Sequence, residues 1–101
     1  MEKIPPDLPG ADLVARGLED LSRGRESLEA LLVSIGAPRL RSAGLRLPRV
    51  LSDPEHRLYR LLAEESGNEA HSRYNALIRR LVSFERALEC ATQRPRPASG
   101  R

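Results

Sequence analysis

Two histidines, His56 and His71, one cysteine, Cys90, and 14 carboxylates are the groups from which any catalytic or metal-binding chemistry in this chain must be built. The most versatile stretch is His71-Ser-Arg-Tyr-Asn75. On a helix, His71 and Asn75 fall four apart on one face, within side-chain hydrogen-bonding reach. That spacing offers a general base held by an orienting amide, or, with Arg73, a His and Arg pair facing RNA. No nucleophile or second acid stands at a diagnostic spacing, so the expectation is a helix end packed against the preceding connector. His71, Arg73 and Asn75 are a polar cluster without an assigned role, and no residue is assigned a catalytic one. His56 falls beside Glu55 in a first helical turn, where the helix dipole disfavours a charged imidazole, and is expected in solvent.

Metal ligation fails on residue count: there is no Cys-x-x-Cys and no His-Glu-x-x-His. Neither Glu64 and Glu65 nor the i, i+4 pair Glu85 and Glu89 belongs to a Glu-x-x-His unit of the kind that builds carboxylate di-iron sites. Both pairs are expected to face solvent. Neither a nucleotide-binding loop nor a catalytic triad is visible, and no cofactor and no metal are expected.

Arginine is the remaining chemistry. Of the 17 basic residues all but Lys3 are Arg, and the guanidinium fork suits bidentate oxyanion contacts. Arg39, Arg41, Arg46 and Arg49 lie in a stretch, 37–52, that holds no acid. Such a patch, joined by Arg94, Arg96 and Arg101, could contact nucleic-acid phosphates. Against this, the net charge is only +3 and no aromatic lies near the patch for base stacking. A GC-rich codon bias is the stronger account of the arginine excess. A helix-turn-helix across Gly36-Ala-Pro38 would leave a second helix too short to read a major groove comfortably.

These groups must be positioned by helices. A chain of 101 residues is one domain at most, and its three aromatics, Tyr59, Tyr74 and Phe84, against many leucines suit packed helices better than sheet. Residues 1–10, with Pro5, Pro6, Pro9 and Gly10, read as a Pro-rich N-terminal arm. Residues 93–101 read as a disordered basic tail. Between them, 11–92 should form a single all-α domain, a small bundle of about five helices with a long C-terminal helix.

Helices are expected over 11–23, 26–35 and 37–43, stopped by Gly24, Gly36 and Gly44. Gly17, on the apolar face of the first, is expected to mark a close helix crossing. Residues 45–52 alternate like a strand but carry Pro48, and are expected to be an extended connector whose leucines cover the bundle. Ser52 or Asp53 should cap the fourth helix, with Pro54 in its first turn and Glu55 completing a capping box. Gly67 should stop it, and Asn68 should cap the last helix, 69–92.

Along that last helix Tyr74, Leu77, Leu81, Phe84 and Leu88 repeat at spacings of three and four, the seam of a coiled coil, widened by Ile78 and Val82. The helix is therefore either an internal spine or an interface, and Cys90 beside the seam is expected to be a buried, inert thiol.

The functional expectation is a non-enzymatic protein-interaction module, a homodimeric accessory or regulatory protein packed through the C-terminal helix. The alternative is a nucleic-acid-binding accessory protein using the arginines at 39–49. A single thiol fits the reducing cytoplasm, and no apolar run is long enough to suggest a membrane span.

Overall fold

The computed structural model describes residues 4–47 and 49–93, with the side chains of 92 and 93 left aside. The chain is all-helical, with no strand among the described residues. Helices α1 (Ala11–Ser22), α2 (Leu28–Ile35), α4 (Pro54–Ser66) and α5 (Ala70–Gln93) are each eight residues or longer; α3 (Ala37–Ser42) has six. A 3-10 turn, Gly67–Glu69, joins α4 to α5. Gln93 belongs to α5, while 1–3 of the arm and 94–101 of the tail lie outside the described residues.

The order of packing follows from α2. Its sequence, LEALLVSI, is apolar nearly all round rather than along one stripe, and a helix of that kind belongs in the interior. Five consecutive residues, Ala30 to Ser34, are buried. Helices α1, α4 and α5 surround this short post, and α3 continues from its end. Val14 and Leu21 from α1, Leu58 and Leu62 from α4, and Leu81, Phe84 and Leu88 from α5 meet Leu31, Leu32 and Val33 in one core. Each fully buried Leu or Phe contributes about 1.5–3 kcal/mol relative to an exposed one.

Close approach of α1 to α2 requires Gly17. A Cβ there would lie 2.4 Å from the Glu29 carbonyl oxygen and 2.4 Å from Val33 Cγ2. The expected crossing point is therefore real, and it brings the backbones of the two helices together. Gly24, at φ 73, ends α1 in the left-handed conformation. Gly36 differs from expectation: its φ is −86, so the turn does not demand glycine, but a Cβ would meet Glu85 Oε2 at 2.5 Å. Glycine stands there to make room for a carboxylate of α5.

The loops are tied by short polar side chains. Ser27 caps α2, its hydroxyl accepting from the Ala30 N–H at 3.0 Å and donating to buried Asp20 at 2.6 Å. Buried Ser34 donates to the Ala30 carbonyl and accepts from the Leu51 N–H at 3.0 Å, fastening the connector to α2. Leu45 and Leu47 of that connector are buried, as the sequence led one to expect.

Helix α2 starts at Leu28 rather than 26, and two helix caps differ from the sequence reading. Asp53 has φ 48 and ψ 49, and its side chain does not cap α4, because capping needs extended backbone at that position. Its carbonyl still accepts from the Arg57 N–H. Asn68 does not cap α5 either: it lies inside the 3-10 turn, and the Ala70 N–H is taken by the Gly67 carbonyl. Ala70, 2% exposed, is drawn into the core at the start of α5.

Candidate interaction surface

The α5 seam is first of all a spine. Leu81, Phe84 and Leu88 are buried in the chain's own core, at 3%, 0% and 4% exposure. Of the five residues expected at an interface only Tyr74 and Leu77 remain half-buried, and both also pack against the core. On the neighbouring edge of α5 half-buried Tyr74, Ile78 and Val82 follow one another at i, i+4 spacing, with Tyr74 and Ile78 also touching the core.

At its N-terminal end this edge meets α4 through aromatic rings. Tyr59 and Tyr74 stand 5.6 Å apart between ring centroids, tilted by 54°, and Tyr59 lies 6.4 Å from the His71 ring. These are edge-inclined aromatic contacts. Tyr59 is 40% exposed, among the few large apolar side chains left in solvent. Burial, with the Glu55 charge adding to it, pushes the Tyr74 phenol above its ordinary range. Toward the C-terminus the edge runs into a shallow groove of about 200 Å³, walled by Ile35 and Pro38 across from Ile78 and Val82.

The polar cluster divides. His71 Nε2 and Asn75 Nδ2 are 3.2 Å apart, the pairing expected from their spacing. Arg73 points elsewhere: it donates to the Ser66 hydroxyl and pairs with Glu65 at 3.4 Å, stitching the end of α4 to α5. The His71 ring stands beside Tyr59 of α4. His56 is exposed and meets Arg60 at 3.1 Å.

The arginine patch does not gather on one surface. Arg39 grips Glu89 in a two-pronged contact, Nε to Oε2 at 3.0 Å and Nη2 to Oε1 at 2.7 Å, and reaches Glu85 at 3.4 Å. Arg41 donates from Nε and Nη2 to the Leu47 carbonyl. Arg46 and Arg49 lie on another side, at a cleft between the connector and α1.

Glu85 and Cys90 exchange the environments expected for them. Glu85 is 4% exposed, because Gly36 leaves space for its carboxylate against α2. Burial raises its pKa, and the charge of Glu89 adds to this, although Arg39 works the other way. The same Arg39 holds the more open Glu89 below the usual carboxylate range. Cys90 is exposed, since it sits two residues beyond Leu88 and turns to the outer side of α5.

Among the described residues no group of three or more His, Cys, Asp or Glu could hold a metal ion, and no helix is long and apolar enough to cross a membrane. Compared with protein-family models, curated proteins and solved structures, the chain matches none. The surface features must speak for themselves. Sequence reasoning missed buried Glu85 and the meeting of the two tyrosines. The first was signalled only by the 3-4 register that sets position 85 next to 81 and 84, and the second needed the antiparallel return of α5 along α4.

Proposed function

We propose that the chain is a non-enzymatic interaction module, an accessory or regulatory protein that pairs with a second copy through the exposed edge of α4 and α5. The observation that carries this reading is the juxtaposition of Tyr59 and Tyr74, the chain's two tyrosines, at the head of a half-covered stripe running through Ile78 to Val82. Tyrosines bring large amphipathic area at small entropic cost and are enriched where proteins meet. A two-fold pairing would lay the stripe of one copy along that of the other, so each residue would act twice.

The nucleic-acid alternative has less support. Arg39 is committed to carboxylates of α5 and Arg41 to a backbone carbonyl, which leaves the four arginines on different surfaces.

Light scattering at low and high micromolar concentration tests the reading. The chain should gain mass toward twice the monomer as concentration rises. Tyr59→Glu, an outward-facing change costing about 0.5 kcal/mol or less in stability, should weaken pairing about tenfold or more, because symmetry places two added carboxylates in one interface. A monomer at high concentration, or unchanged association of Tyr59→Glu, would count against the proposal.

A further inference from the structure

The cleft between α1 and the connector is a second surface, separate from the edge just described, and its construction points to a ligand. In the connector Leu45 and Leu47 are buried while Arg46 and Arg49 are exposed. On α1, Leu18 and Leu21 turn toward the same space, and Ile4 of the arm closes one end. The result is a cleft of about 620 Å³, within the range of small-molecule sites, which are mostly apolar with a few polar groups fixing orientation.

Its charged rim is one-sided. Among the described residues lining the cleft, Arg23, Arg46 and Arg49 stand with one acid, Glu19, and Arg46 has an interaction partner of its own. Glu19 pairs with Arg23 at 3.2 Å, with both side chains 58% exposed, so water screens this pair and a competing anion can share the guanidinium. Arg49 makes no hydrogen bond or ion pair among the described residues. An exposed guanidinium above leucine side chains complements a molecule that is anionic at one end and apolar along the rest.

We propose that this cleft binds a single-chain anionic amphiphile, with its hydrocarbon on Leu18, Leu21 and Leu47 and its carboxylate on Arg49 and Arg23. The site stands whether or not the α4 and α5 edge pairs, because the two lie on different elements.

The test is titration of the full, isotope-labelled chain with decanoate below its micelle concentration, followed by methyl and amide NMR. Decyltrimethylammonium, acetate and an acidic amphipathic peptide serve as comparison arms. Decanoate should shift the Leu18, Leu21 and Leu47 methyls and bind about tenfold or more tighter than the cation or acetate. Arg49→Ala should weaken it about threefold or more. Leu18→Glu, which sets a carboxylate in the floor, should abolish binding with helix content unchanged by circular dichroism. Equal affinity for the cationic amphiphile, shifts confined to other surfaces, full affinity in Arg49→Ala, or binding of the peptide alone would each overturn the assignment.

Discussion

Gly17 and Glu85 depend on single atoms, and both reverse a usual rule. Replacing glycine by alanine inside a helix normally stabilises it by about 1 kcal/mol. At Gly17 the added methyl would collide with the Glu29 carbonyl and Val33, backbone and core atoms that cannot swing away. Gly17→Ala is therefore expected to destabilise by about 1–3 kcal/mol, read from urea denaturation. For Glu85 the reversal concerns pH. Its folded pKa is raised, so in the native state it holds a proton at pH values where the unfolded chain has released one. Stability from this group is fully present below the ordinary glutamate value of 4.5 and is lost as pH rises through the raised one. Glu89, held low by Arg39, has the opposite sign and loses its contribution as pH falls through its lowered value. In urea midpoints measured from pH 7 down to pH 5, the stability of the native chain relative to Glu85→Gln should grow as pH falls. A difference that shrinks would mean that the ion pair with Arg39 outweighs burial.

At the scale of elements, α5 carries two sets of apolar residues on adjacent faces. The seam residues Leu81, Phe84 and Leu88 are buried in the core, and the edge residues Tyr74, Ile78 and Val82 are only half-buried. Phe84→Ala should cost about 3–5 kcal/mol in stability, while Tyr59→Ala should reduce self-association with little loss of stability; paired denaturation and light-scattering measurements separate the two. Much of this was legible in the sequence. Glycines at 24, 36 and 44 marked helix ends, and the alternating spacing of three and four marked the α5 seam. The register alone could not say whether Leu81, Phe84 and Leu88 meet α2 or another chain, since both contacts demand the same apolar pattern. The apolar run 30–33 in α2 was visible, but that a helix so short would be the central post depends on tertiary packing. Asp53 failed as a cap for a backbone reason, its left-handed conformation, which composition does not reveal.

Across the whole molecule, charge and apolar surface are distributed to different ends of the problem. The arginine stretch that reads as one patch along the chain is divided by folding: Arg39 turns to α5, Arg41 to the connector backbone, and Arg46 and Arg49 to the α1 cleft. What remains on the α4 and α5 side is a tyrosine-headed apolar edge, through which the proposed pairing runs. The most direct measurement is an isotope-filtered NOE experiment on an equal mixture of labelled and unlabelled chains, refolded together. Intermolecular contacts from the Tyr59 and Tyr74 rings to the methyls of Ile78 and Val82 are the predicted result. Intermolecular contacts confined to α1 and the connector, or none in a sample at high micromolar concentration, would contradict it.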